Sequence, residues 1–156
     1  VRETLPCEGL MEDALRINEG SLKRHNIEVR REYSEAPPIP LEKHKVLQIL
    51  VNLVRNAKQS LNESDRTDKR LTVQIGRSNG DIAISVNDNG VGIAPENLTR
   101  IFAHGFTTRK DGHGFGLHSG VLAAQEMGGG LAVHSAGLGA GATFTLKLPI
   151  AAIGNN

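Results

Sequence analysis

The sequence predicts an α+β domain, a mixed sheet of about five strands covered on one face by about three helices. Three observations carry this. Two runs, "RLTVQIGRS" (70–78) and "DIAISVND" (81–88), alternate apolar and polar residues as half-buried strands do. The stretch 41–62 repeats its apolar residues at helical spacing. Finally, helices and strands mix along the chain without the regular β-α-β rhythm of a parallel sheet.

The elements follow in order. Residues 7–24 read as one helix, with Leu10, Ala14, Ile17 and Leu22 on its apolar face. "NIEVRREY" (26–33) alternates like a strand with one exposed face, and "SEAPPIP" (34–40) is a proline-rich connection. The long helix at 41–62 comes next, then the strands 70–78 and 81–88, joined by a turn at Asn79-Gly80. Pro95 opens a short helix reaching Ile101. Residues 103–113 lack apolar periodicity and are expected to form a mobile loop. A helix from Gly114 to Met127 and strands at 130–136 and 141–149 complete a single domain without internal repeats.

Composition removes several classes of function. The chain has 156 residues, of which 38% are hydrophobic and 22% charged, with a net charge of +1. That supports a real core and argues against disorder or a polyanion-binding field. Aromatics are 3% and tryptophan is absent, so a base-stacking nucleic-acid surface is not expected. Cys7 is the only cysteine, which excludes an intrachain disulfide and a cysteine-based zinc site. His113 and His118 fit no standard zinc spacing. The uncharged stretch Met127–Leu146 is too broken by glycine to span a membrane. The start at Val1, with no signal-like apolar stretch, reads as that of an excised or processed piece.

Chemistry concentrates in three places. In "LQILVNLVRNAKQS" (47–60), Val46, Leu50, Leu53, Ala57 and Leu61 form the core face, while Gln48, Asn52, Arg55, Asn56 and Gln59 gather on another arc. Asparagine is disfavoured inside helices, so Asn52 and Asn56 one turn apart suggest either a solvated polar face or an amide oxygen offered to a metal ion. In "SVNDNGVGI" (85–93), Asp88 ends an apolar strand. It is placed to accept a hydrogen bond from a ligand amine, with Gly90 and Gly92 admitting a flat ring that packs on Ile93. "KDGHGFGLHSG" (110–120) fits neither the P-loop nor the dinucleotide fingerprint, yet its glycines open a helix whose free N–H groups suit an anion.

Taken together, these motifs resemble the catalytic, ATP-binding domain of bacterial sensor histidine kinases, in the superfamily of gyrase, HSP90 and MutL. "NLVRNA" is similar to the N box, "DNGVGI" to the first glycine box, "IFAHGFTTRKDGHGFGL" to the F box running into the second glycine box, and "GAGATFTLKLP" to the last. The resemblance covers nearly the whole chain. It implies a Bergerat fold, a two-layer α/β sandwich with a mostly antiparallel sheet, and ATP and Mg²⁺ as ligands. By the same matching Asp88 would bind the adenine amine beside Gly90, Gly92 and Ile93, Asn56 would ligate Mg²⁺, and Thr143 would sit near the adenine. An ATP lid at about 103–113 is implied, with phosphate and lid contacts from Phe106, Thr107, Thr108, Arg109, Lys110, Gly112, His113, Gly114, Phe115, Gly116 and Leu117. Two departures stand out. Lys58 and Gln59 follow Asn56, and the helical wheel turns Gln59, not Lys58, toward the nucleotide. "AHGF" replaces the commoner "EPFF", so packing around Phe102 and Phe106 is expected to differ.

The catalytic pair implied is Asn52 and Asn56. ATPases of the superfamily carry glutamate at the position of Asn52, where it activates water, and a neutral amide cannot take that proton. The γ-phosphate is therefore expected to wait for an external nucleophile. The resemblance implies a histidine on a separate dimerisation domain, with onward transfer to a response regulator, in a homodimeric, cytoplasmic or membrane-anchored sensor. The isolated domain is expected to be a monomer. None of the six histidines here has the acceptor's setting. A serine-directed kinase of the anti-sigma-factor type and a non-catalytic nucleotide-binding docking module are the alternatives.

Overall fold

Alternation makes the sheet. Strand β4 (Arg70–Ser78) and strand β5 (Asp81–Asp88) pair antiparallel from Leu71↔Asp88 to Ser78↔Asp81. The two-residue loop between them has Asn79 at φ 58°, as a tight hairpin turn demands. The computed structural model describes residues 2–102 and 115–151. Its remaining elements are β1 (Glu3–Leu5), α1 (Cys7–Ile17), α2 (Glu19–Arg24), β2 (Glu28–Tyr33), β3 (Ile39–Leu41), α3 (Lys43–Glu63), α4 (Pro95–Leu98), α5 (Phe115–Glu126), β6 (Gly130–His134) and β7 (Ala142–Pro149).

Five strands form the main sheet in the order β2-β4-β5-β7-β6. β2 runs parallel to β4, and every other neighbouring pair is antiparallel. The parallel step needs a crossover, and α3 supplies it between β2 and β4. One face of the sheet is apolar: Leu71, Val73 and Ile75 of β4, Ile82, Ile84 and Val86 of β5, and Phe144, Leu146 and Leu148 of β7 are buried. Against it lie Val46, Ile49, Leu50, Leu53, Ala57 and Leu61 of α3, with Leu10, Met11 and Ala14 of α1 and Ala124 of α5 in the same core. Each large side chain so buried contributes about 1.5–3 kcal/mol. The other face is polar, as Ser85 Oγ lying 3.0 Å from Thr145 Oγ1 illustrates. Helices on one face of a mixed, mostly antiparallel sheet is the architecture expected.

Three expectations need correction. The helix expected over 7–24 is two helices, because the chain turns at Asn18 (φ −97°, ψ 2°), whose Nδ2 donates to the Ala14 carbonyl at 3.0 Å. That turn leaves Ile17, counted on the apolar face, 61% exposed. The proline-rich connection ends in β3, which pairs antiparallel with β1 in a small second sheet that was not foreseen. The short helix opened by Pro95 ends at Leu98 rather than Ile101. The expected loop at 103–113 lies outside the described residues.

Candidate functional site

The site forms where α3 passes the end of β5. Pleat alternation puts Ile82, Ile84, Val86 and Asp88 on the inner face, so the strand's last inward position carries a carboxylate. Asp88 is 3% exposed. A buried carboxylate requires donors, and its Oδ1 receives two: the Ser60 hydroxyl at 3.0 Å and the Gly90 N–H at 2.8 Å. The same Ser60 Oγ accepts the Val91 N–H at 3.1 Å. One turn before Ser60, Asn56 lines the same cavity.

Two glycine-bearing loops make the wall opposite α3. Gly139 N–H donates to the Val91 carbonyl at 2.7 Å, and Ser135 Oγ accepts the Ile93 N–H at 3.0 Å while donating to the Gly141 carbonyl at 2.7 Å. Gly92 has φ +74°, and a Cβ there would run into the Gly137 carbonyl. At Gly90 a Cβ would overlap Ser60 itself. Neither position admits a larger residue without separating the loops or pushing α3 away.

Between these walls lies an open cleft of about 740 Å³, counting its mouth, large enough for a nucleotide-sized ligand. Asn56, Ser60, Glu63 and Asp88 give it a polar side. Val91, Ile93, Ile101, Leu138, Ala142 and Phe144 give it an apolar one, and Gly92, Ala94 and Asn97 complete the lining. Phe102 stacks edge-on to Phe144 with ring centroids 6.2 Å apart, and Phe102 O lies 3.1 Å from His118 Nδ1. A carbonyl only accepts, so this contact calls for a protonated Nδ1. It ties Phe102 to α5.

Of the residues singled out in the sequence, Asn56, Asp88, Gly92 and Ile93 line the cleft together, and Gly90 braces Asp88 from behind. Asn52 is not among the lining residues. Its Oδ1 accepts from Arg55 Nη2 at 2.8 Å, and it borders a separate groove between α3 and α5 with Gln48, Ile49 and Ser119. Gln59 does not line the cleft either; Ser60 and Glu63 occupy the side of α3 assigned to it. Lys58 also lies off the cleft, its pKa lowered by partial burial and then by Arg55 and Arg24. Thr143 pairs with Asn87 across the sheet, and its Oγ1 accepts from Asn87 Nδ2 at 2.7 Å. Strand alternation places both on the polar face, away from the cleft that Ala142 and Phe144 line. Leu117 is buried in the core. Phe115 and Gly116 open α5, while Phe106, Thr107, Thr108, Arg109, Lys110, Gly112, His113 and Gly114 lie outside the described residues.

An inward carboxylate, a facing helical amide and two interlocked glycine loops thus meet at one cleft, and comparison with known proteins gives the family. Residues 42–152 match the family described as histidine kinase-, DNA gyrase B-, and HSP90-like ATPase, and the chain belongs to it. It is 32% identical over 144 residues to the sensor protein TdiS of Thauera aromatica, a match spanning 90% of this chain and 26% of that protein. It is 36% identical over 114 residues to the sensor histidine kinase ZraS of Escherichia coli, spanning 73% of this chain and 23% of that one. The chain thus spans about a quarter of the length of these relatives. Among solved structures, full-length ShkA in complex with AMPPNP superposes with TM-score 0.83 at 27% identity, over 97% of this chain and 31% of that one. The catalytic domain of histidine kinase ThkA superposes with TM-score 0.82 at 22% identity, over 97% of this chain and 99% of that one. The fold is the Bergerat α/β sandwich.

Proposed function

We propose that this domain binds Mg²⁺-ATP in the cleft between α3 and the end of β5 and donates the γ-phosphoryl group to a histidine on a separate dimerisation domain. The observation that carries the reading is Asp88, a carboxylate buried at the inner end of an apolar cleft and held as an acceptor by Ser60 and Gly90. Such a group suits the exocyclic amine of adenine, with Ile93 and Phe144 against the ring. The ShkA complex with AMPPNP supports the choice of an adenine nucleotide.

The metal fits this donor set. Among the described residues no cluster of three or more His, Cys, Asp or Glu could hold an ion by itself. Mg²⁺ suits one amide oxygen, that of Asn56, with nucleotide phosphates and water completing its shell. When bound it would neutralise charge on the phosphates. The chain's own part is to fix the base at Asp88, orient the triphosphate along α3 and present helix N–H groups at the start of α5. The segment at about 103–113 would serve as the ATP lid over the phosphates. Asp88 and Glu63, the carboxylates of the cleft, belong to its base-binding end, and Asn52 cannot accept a proton as a glutamate would. Hydrolysis is then slow and the γ-phosphate awaits an external imidazole, as phosphoryl transfer by positioning requires.

The whole protein would be a homodimeric two-component sensor passing phosphate to a response regulator, with this domain in the cytoplasm. Among the described residues no helix is long and apolar enough to cross a membrane. The test is to mix the domain with γ-labelled Mg²⁺-ATP and a helical histidine domain from such a sensor. Acid-labile label on the helical domain supports the reading. Acid-stable label on a serine, or none on any partner, contradicts it.

A further inference from the structure

We infer that the Ser60 hydroxyl is the positioning group that sets which purine the cleft accepts, by holding Asp88 as a hydrogen-bond acceptor only. This rests on the nucleotide reading above and adds to it a residue outside the recognised motifs. Ser60 is 8% exposed, on the last turns of α3. Its single proton is directed to Asp88 Oδ1 at 3.0 Å, and its oxygen takes the Val91 N–H at 3.1 Å. That N–H also lies 3.4 Å from the Ser60 carbonyl, so helix and loop are clamped at one residue. No side chain at position 90 stands between them, because a Cβ there would overlap Ser60.

The consequence is chemical. With Ser60 O–H and Gly90 N–H both donating to Oδ1, that oxygen is held as an acceptor and the orientation of the carboxyl group is fixed. A carboxylate so held rewards a base that presents an N–H donor, such as a 6-aminopurine. It repels one that presents a carbonyl oxygen, such as a 6-oxopurine, because two acceptors then face each other in a buried site. Without the Ser60 proton the carboxyl loses one of these donors and is freer to turn, so a 6-oxopurine is penalised less. Selection for the amino group therefore depends on a side chain that acts through Asp88.

The experiment titrates the 156-residue chain by calorimetry with Mg²⁺-ATP and Mg²⁺-inosine triphosphate, in wild type, Ser60→Ala, Ser60→Thr and Ser60→Val. Thr and Val match in size and differ in the hydroxyl; Ala removes the oxygen and adds nothing. Wild type should prefer ATP by more than about tenfold. Ser60→Ala should lose about five- to tenfold in ATP affinity and leave inosine triphosphate within about twofold, so the preference collapses. Val should follow Ala, and Thr should restore the preference. An ATP-to-inosine ratio unchanged in Ala, or an equal loss for both nucleotides, overturns the inference while leaving the nucleotide site intact. Wild type that takes up neither nucleotide overturns the site assignment, and this inference with it.

Discussion

Asp88 can be read in the sequence because strand alternation fixes which way it points, and the structure puts it on the inner face with Val86 and Ile84. Replacing it with Asn substitutes a neutral amide for the charge held by Ser60 and Gly90. Asp88→Asn should weaken ATP binding more than about tenfold, or about 1.4 kcal/mol; calorimetry that returns the wild-type affinity would remove Asp88 from the site. Asn56 faces the same cleft, and Asn56→Ala should abolish the difference between titrations with and without Mg²⁺. A persistent difference would place the metal elsewhere. The helix face was only partly legible. A step of four residues advances about 40° around a helix, so a line drawn through Asn52 and Asn56 drifts. Asn56, Ser60 and Glu63 meet the cleft, while Asn52 turns out of it toward Arg55. Nothing in the composition of a serine near a helix end distinguishes a clamp from a solvated hydroxyl. Its signal was positional, four residues beyond Asn56 and opposite the strand-end acid.

Loops and helix breaks decide the next scale. The two glycine loops close on each other through Val91 and Gly139, and Gly92 sits at φ +74° beneath the Gly137 carbonyl. Gly92→Ala should lower stability by about 1–3 kcal/mol, a backbone-strain cost to which the overlap adds, and should weaken ATP binding with it. A thermal midpoint and an affinity both equal to wild type would refute that wall. The strands β4 and β5 were legible to the residue because alternation ran uninterrupted up to Asn79-Gly80. β1 and β3 were not, since three-residue strands carry too few positions to show a period, and prolines at 37, 38 and 40 spoke for a connection. The break at Asn18 was hidden by apolar spacing that continues through Ile17 to Leu22.

Across the molecule, burial and charge set the pH range of stability. Arg31 and, after it, Tyr33 donate to Glu12, and these contacts hold the Glu12 carboxyl below its usual range. A lowered carboxyl pKa stabilises the fold above the unfolded value, and that contribution is lost as pH falls through the folded one. Burial pushes the Cys7 thiol up to about 11 from 9.0, so its contribution is complete below about 9 and is lost as pH rises toward 11. The thermal midpoint should therefore be flat near neutrality and fall on both sides. Glu12→Gln should flatten the acid limb; an acid limb identical to wild type would show that the cluster contributes nothing measurable. The five strands of the main sheet and its covered face were legible from periodicity, whereas the order β2-β4-β5-β7-β6 was not. It depends on which distant strands find each other, and local pattern holds no record of that.

The proposed place of the nucleotide is the cleft between α3 and the end of β5. Amide chemical-shift mapping of the isotope-labelled domain, titrated with Mg²⁺-ATP to millimolar concentration, tests it most directly. The account predicts that the largest shifts fall on Asn56, Ser60, Asp88, Gly90, Gly92, Ile93 and Phe144. Shifts centred instead on the groove of Leu15, Leu22, Ile27 and Arg31, or no shifts at all, would contradict it.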